Sequence, residues 1–212
     1  MVPDLPHPHY LLPYRKALAE HGPSFEATLW RSREAQRLRF DVLIDLIGEE
    51  GLRHGTLLDA GCGHGDLAAR LVERGIAFER YVGVDGLDEL IQAANARHLP
   101  HSVFFTGDFV TDPTVFSSHH PDYVLFCGSL NTIPDETARD VVRRAFESAN
   151  HGVALNFLGD RHHRRWAGED LSPARRFDTV AWVDFALSLS SRVVFDQEYL
   201  DGHDVSLLVR HD

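Results

Sequence analysis

Residues 57–67 read Leu-Leu-Asp-Ala-Gly-Cys-Gly-His-Gly-Asp-Leu, an apolar strand that runs into a glycine-rich turn and then into a helix. Glycines at such a turn allow positive φ angles and let the backbone come close to a ligand. The first N–H groups of the following helix point to the same place. The pattern therefore predicts a ligand-binding turn at the carboxyl end of a strand.

Two acids in this segment bear on the kind of ligand. A dinucleotide-binding turn has the form G-x-G-x-x-G, but the position of the third glycine is Asp66 here. Asp59 also ends the strand just before the turn. A carboxylate repels a diphosphate and attracts an ammonium or a sulfonium group. The turn therefore favours S-adenosylmethionine (SAM) over NAD, and a nucleotide-dependent oxidoreductase is the less favoured alternative.

Two more acids end the next two predicted strands. Asp85 follows Tyr81-Val82-Gly83-Val84 and can accept hydrogen bonds from both hydroxyls of a ribose. Gly107-Asp108-Phe109 ends the third strand, where Asp108 can accept from an adenine amine and Phe109 can pack on the ring.

These three segments, in this order, resemble the class I SAM-dependent methyltransferases over about residues 39–210. The resemblance implies an α/β Rossmann-like three-layer sandwich, whose seven-stranded, mostly parallel sheet has the order 3-2-1-4-5-7-6. It implies SAM across the carboxyl ends of the strands, with S-adenosylhomocysteine as product. The residues expected to bind SAM are Arg39, Asp59, Gly61, Cys62, Gly63, Asp85, Gly86, Leu87, Gly107, Asp108, Phe109, Cys127 and Gly128.

The segment from Gly22 to Phe40 resembles the N-terminal lid of a group of small bacterial methyltransferases. In related enzymes an arginine about twenty residues before the motif acid reaches the SAM carboxylate, and Arg39 has that position. A planar guanidinium suits a carboxylate, although an arginine on an amphipathic helix is as often solvated. Phe25 and Trp30 are expected to cover the site, and Asn131 to lie near the substrate.

Apolar runs alternate with helical patterns from residue 56 onward, which predicts a parallel sheet covered on both faces. The predicted strands are 56–60, 80–85, 103–106, 123–127, 153–158, 192–195 and 205–209, and the last two lack an intervening helix and should be antiparallel. The predicted helices are 14–20, 32–49, 66–74, 87–97, 135–149 and 177–189. Residues 1–50 are expected to form an N-terminal arm, extended over about the first ten residues, and lid helices. Residues 51–212 are expected to form the SAM-binding part of a single domain.

The composition limits the partners. The formal net charge of −11 disfavours long contacts with a nucleic-acid backbone, and no Asn/Asp-Pro-Pro-aromatic run follows Cys127-Gly128. No run of about 18 apolar residues predicts a membrane span. Two cysteines without a disulfide pattern indicate the cytoplasm. The sequence leaves the oligomeric state open.

The function expected from the sequence is methyl transfer to an oxygen or nitrogen atom of a small molecule, whose identity stays open. A SAM-binding sensor or partner subunit without catalysis is the alternative. The candidates for a catalytic base are His162, His163 and His120, although residues 160–166 can equally be a solvated basic loop. Adjacent histidines lack the spacing of zinc ligands, so no metal is expected.

Overall fold

The computed structural model describes residues 8–212, and its centre is a seven-stranded sheet with the order β3-β2-β1-β4-β5-β7-β6. The strands are β1 Thr56–Ala60, β2 Arg80–Asp85, β3 Ser102–Thr106, β4 Tyr123–Cys127, β5 Gly152–Leu158, β6 Arg192–Asp196 and β7 Asp204–Arg210. Strands β1 to β5 are parallel, and β7 is antiparallel to both β5 and β6. The predicted order and the antiparallel last pair are confirmed.

Helices cover both faces of this sheet. They are α1 Leu12–His21, α2 Arg33–Ile47, α3 Glu49–Arg53, α4 Asp66–Glu73, α5 Asp88–Ala96, α6 Thr114–Ser117, α7 Asp135–Ser148 and α8 Thr179–Leu189. Short 3₁₀ turns occur at His9–Leu11, Phe25–Thr28, Arg164–Trp166 and Leu200–Gly202. Within residues 8–212, no helix combines the length and the apolar character that a membrane crossing requires.

The N-terminal region differs from the prediction in two places. The chain is already helical from His9, because a proline such as Pro13 is tolerated in the first turn of a helix, so the extended arm ends earlier than predicted. Residues 1–7 of the predicted arm lie outside the described residues. The long helix predicted to reach residue 49 ends at Ile47, since Gly48 adopts a φ of 81° and starts the separate helix α3.

The core has two layers, one on each face of the sheet. Neighbouring residues of β1 point to opposite faces, so that Leu57 packs under helices α2 to α5 and Leu58 packs under α6 to α8. Because β1 to β5 are parallel, their carboxyl ends meet at one edge of the sheet. The antiparallel strand β7 brings its beginning to the same edge, where Asp204 pairs with Leu158.

Candidate functional site

A cavity of about 530 Å³ lies at this edge of the sheet. The lid segment, the ends of β1, β2, β4 and β5, the segment 166–174 and the start of β7 all contribute to its walls. The predicted site residues that line it are Trp30, Arg39, Asp59, Gly61, Cys62, Gly63, Asp85, Gly86, Leu87, Phe109, Cys127, Gly128 and Asn131. The predicted residues that do not line it are Phe25, Gly107, Asp108, His120, His162 and His163.

The glycine-rich turn forms the floor of the cavity. Gly61 has a φ of 88°, and a Cβ atom at this position would lie 2.4 Å from the Cβ of Ser129. The backbone N–H groups of Gly61 and Cys62 both donate to the carbonyl of Val84, at 2.8 and 3.1 Å. The turn is therefore anchored to β2, and only glycine at position 61 leaves room for the β4 loop beside it.

Asp59 is a buried acid with a free oxygen at this turn. Its side chain is 2% exposed, and Oδ2 accepts a hydrogen bond from the hydroxyl of Tyr81. Oδ1 is buried and has no hydrogen-bond partner. Burial raises the pKa of Asp59 to about 7, the Tyr81 hydroxyl opposes this, and the charge of Asp85 adds to it. Such an orphaned carboxylate oxygen is costly unless a ligand donates to it.

Asp85 is the second acid of the floor, and it is half-buried. Its two carboxylate oxygens accept from the backbone N–H groups of Gly63 and Leu87, each at 3.0 Å. Burial raises its pKa to about 6, and these N–H groups limit the rise. Among the described residues, no arginine, lysine or histidine forms an ion pair with Asp59 or Asp85. Two uncompensated carboxyl groups fit a ligand that carries positive charge, as SAM does through its ammonium and sulfonium groups.

Asp108 is held by Tyr10 in the 3₁₀ turn His9–Leu11, which precedes the lid. Its Oδ2 accepts from the hydroxyls of Tyr10 at 2.6 Å and Thr111 at 2.9 Å, and its Oδ1 accepts from the Val110 N–H at 3.0 Å. Burial, with the neighbouring carboxylate, raises the pKa of Tyr10 well above its usual range. This N-terminal turn therefore contacts the chain just after β3, the place predicted for the adenine.

The rest of the lid crosses the cavity near β4. The ring of Trp30 lies so close to Gly128 that a Cβ atom there would be 2.7 Å from it. Phe25 does not cover the cavity as expected: it is buried in the lid, with the guanidinium of Arg33 4.3 Å from its ring. Trp30 is thus the aromatic cover of the two residues proposed from the sequence.

Arg39 forms a buried ion pair instead of an open ligand site. Its Nε and Nη2 donate to Oδ1 and Oδ2 of Asp204, at 2.5 and 2.6 Å, and both side chains are nearly inaccessible to solvent. The bidentate face of the guanidinium is therefore occupied by an internal carboxylate. A role toward a ligand carboxylate is confined to its third nitrogen, Nη1.

A histidine that the sequence analysis missed lies on the cavity wall. His203 is 6% exposed, its Nδ1 lies 2.8 Å from Asp204 Oδ2, and its Nε2 lies 2.8 Å from Glu169 Oε2. Glu169 also contacts Arg31 of the lid, and lies 3.5 Å from Arg176. The sequence signal for this residue is the pair His203-Asp204 at the start of an antiparallel strand, because the start of such a strand faces the site.

The three histidines expected to act as a base lie elsewhere. His120 is exposed and precedes β4, at the opposite edge of the sheet. His162 contacts the carbonyl of His163, whose own ring accepts from the Arg165 N–H and caps a 3₁₀ turn. The structure brings none of them to the cavity: His120 lies at the opposite edge of the sheet, and His162 and His163 in the loop after β5 do not line the cavity.

The comparisons with known proteins agree with this geometry. Residues 57–152 match a family described as a methyltransferase domain, and no curated protein matches the chain. The structure is similar to magnesium protoporphyrin IX methyltransferase from Synechocystis PCC 6803 with bound S-adenosylhomocysteine, at 16% identity and a TM-score of 0.63, covering 84% of this chain and 83% of that one.

Two further solved structures show the same fold. A DhpI-SAM-HEP complex has 16% identity, a TM-score of 0.65 and 94% coverage of both chains. The small RNA methyltransferase HEN1 has 13% identity and a TM-score of 0.64, covering 85% of this chain and 25% of that one. At these identities the likeness shows the fold alone. With the domain match over residues 57–152 and the strand order, this chain resembles the class I methyltransferases in fold, and the similar structures include complexes with SAM and with S-adenosylhomocysteine.

Proposed function

We propose that this chain transfers a methyl group from SAM to an oxygen or nitrogen atom of a small molecule. The observation that carries the proposal is the pair of carboxyl groups, the buried Asp59 and the half-buried Asp85, beside the glycine-rich turn and without an ion-pair partner in the described chain. A cationic nucleoside would compensate both, whereas a dinucleotide diphosphate would add to the repulsion.

In this proposal each strand end holds one part of SAM. The free Oδ1 of Asp59 accepts from the ammonium group, and the turn from Gly61 lies under the methionine part. Asp85 accepts from the ribose hydroxyls, and Phe109, which lines the cavity, packs on the adenine. Asp108 lies outside the cavity and is bonded to Tyr10, Thr111 and the Val110 N–H, so it takes no part in this proposal. The remaining expected contacts are Cys62, Gly63, Gly86, Leu87, Gly107, Cys127 and Gly128.

SAM, when bound, supplies an activated methyl group. The protein then has to align the acceptor and to exclude water, and Trp30 with the rest of the lid provides the cover. Cys127 is not a nucleophile in this proposal, because burial raises the pKa of its thiol far above its usual range.

A small acceptor is supported by the size of the cavity and by the charge of the chain. Tyr10 contacts Asp108 and Trp30 of the lid lies against Gly128, and the cavity measures about 530 Å³. The likeness to an RNA methyltransferase concerns the fold, and the net charge of −11 opposes a nucleic-acid acceptor. The two free, buried cysteines also suit the cytoplasm as the proposed compartment.

Calorimetric titration with SAM tests the proposed donor site. Asp85→Ala should weaken SAM binding by about 10- to 100-fold, which corresponds to about 1.5–3 kcal/mol of charge-assisted hydrogen bonding. Asp184→Ala, an exposed acid on α8, is the matched control and should bind like the wild type. Unchanged affinity in Asp85→Ala would contradict the site. Tight SAM binding without release of S-adenosylhomocysteine in any cell extract would favour the sensor instead.

A further inference from the structure

The cavity has a second half that the proposed donor site does not use. In the sheet order, the strands that carry Asp59, Asp85 and Asp108 lie on one side of β4, and β5 with β7 lies on the other. His203 and Asp204 stand at the beginning of β7, next to Leu158 at the end of β5. This half is therefore the place for the methyl acceptor.

His203 is the titratable side chain that this half offers to an acceptor. Its Nδ1 is held by Asp204, and its Nε2 by Glu169. Asp204 is itself fixed by Arg39, whereas Glu169 also contacts Arg31 and Arg176, which can hold its carboxylate when it moves away from the ring. The charged and titratable groups that surround it are Arg31, Arg39, Glu169, Arg176, Tyr199 and Asp204.

We propose that His203 is the catalytic base and that the acceptor is a hydroxyl compound, an inference that rests on the proposed methyl transfer. Nδ1 keeps its proton in the hydrogen bond to Asp204. Nε2 faces the carboxylate of Glu169 at 2.8 Å, so its lone pair becomes free when Nε2 releases its proton to solvent and Glu169 turns to Arg31 and Arg176. The acceptor hydroxyl takes the place of Glu169 at this nitrogen. Its O–H bond breaks and the proton passes to Nε2, while the oxygen forms a bond to the methyl carbon. The electron pair of the broken carbon–sulfur bond stays on sulfur, giving a methyl ether and S-adenosylhomocysteine.

The chemistry of possible acceptors explains why a base points to a hydroxyl. A phenolic hydroxyl ionises at a pH of about 10, so a base is needed at neutral pH, whereas a carboxylate acceptor is already ionised. Apolar and aromatic side chains also line the cavity, among them Trp30, Leu158, Trp166, Leu171 and Leu200. The ring of Trp166 lies 4.3 Å from that of His203. A phenol fits these surroundings better than a sugar does.

A pair of phenols tests this assignment. Phenol needs a base near neutral pH, but 4-nitrophenol is largely ionised in mildly alkaline buffer. We expect His203→Asn to slow methylation of phenol by about 10²–10⁴-fold and that of 4-nitrophenol much less. The wild-type rate for phenol should level off with rising pH, and the variant rate should keep rising. SAM affinity should be unchanged, and His54→Asn, at an exposed histidine outside the cavity, should match the wild type.

Equal losses for both phenols would overturn the role of His203. Methylation of benzylamine or benzoate, but of neither phenol nor 4-nitrophenol, would overturn the acceptor class, and so would the absence of any phenol methylation in a wild type that binds SAM. A wild type that does not bind SAM would instead refute the proposed function.

Nuclear magnetic resonance of the wild type gives a readout that needs no variant and no turnover. The histidine ring nitrogens are observed with S-adenosylhomocysteine bound, before and after addition of 4-nitrophenol. We expect the Nε2 signal of His203 to shift while Nδ1 remains protonated. An Nε2 signal unchanged at saturating 4-nitrophenol would overturn the proposal, even if His203→Asn fails to fold.

Discussion

Replacing Asp59 by asparagine should make the ligand-free protein more stable and its SAM binding weaker. The carboxyl group has a pKa of about 7 in the folded chain against an ordinary value of 3.8. Above pH 7 this difference costs the folded state about 4 kcal/mol. Asparagine removes that cost, which already includes the hydrogen bond from Tyr81, but it buries an amide N–H group without an acceptor, at about 1.5–3 kcal/mol. A net gain of about 1–2.5 kcal/mol remains, which raises the Tm by about 2–10 °C for a chain of this size.

The pH dependence gives the sign of the effect. Because the folded pKa lies above the unfolded one, the folded state holds a proton that the unfolded state has already lost between about pH 4 and pH 7. The wild type should therefore lose stability relative to Asp59→Asn as the pH rises through this range, and near pH 4 the wild type should be the more stable by about 1.5–3 kcal/mol. Thermal unfolding at several pH values measures this difference.

The same variant should bind SAM about 10- to 100-fold more weakly, because the ammonium group loses a charged acceptor. Asp184→Asn, at an exposed acid, serves as the control for both measurements. A variant that melts below the wild type at pH 8 and binds SAM with full affinity would refute the reasoning about the buried charge.

Three other perturbations follow from the site. SAM binding near pH 6.5 should release protons from Asp59 and Asp85, because a nearby cation lowers their raised pKa values. Calorimetric titration in two buffers of different ionisation enthalpy measures this release, and equal binding enthalpies in the two buffers would contradict it. Tyr10→Phe should lose the bond to Asp108 and change SAM affinity less than tenfold, and proteolysis of the lid should become faster; equal cleavage rates would contradict the latch. Arg39→Met should cost about 3–5 kcal/mol in urea unfolding by leaving Asp204 unpaired, and adding Asp204→Asn should recover part of it; a neutral single variant would speak against the buried pair.

The sequence predicts the sheet well because its information is local. The strand Thr56–Ala60 has the same bounds in the prediction and in the structure, since a continuous apolar run next to a glycine turn has few alternatives. The short helices at residues 49–53 and 114–117 carry too few residues for a periodic pattern, and they were missed.

The acceptor half could not be predicted because its contacts are distant in sequence. Arg39 was assigned to a ligand, yet its bidentate partner Asp204 lies 165 positions later. His203 is not predicted from the sequence because parallel strands present their last residues at this edge of the sheet, whereas the antiparallel strand β7 presents its first residues there. The histidines of the loop after β5 have a suitable residue type, but nothing in the local pattern shows that they do not line the cavity.

The ion pair between Arg39 and Asp204 also constrains the order in which the chain can mature during synthesis. Helix α2 leaves the ribosome long before β7 exists. The guanidinium of Arg39 on this helix is therefore costly to bury until Asp204 on the last strand can pair with it. We therefore expect this helix, and the lid attached to it, to dock less stably in nascent chains that stop short of β7. The ion pair beneath the cover forms only when β7 has been made.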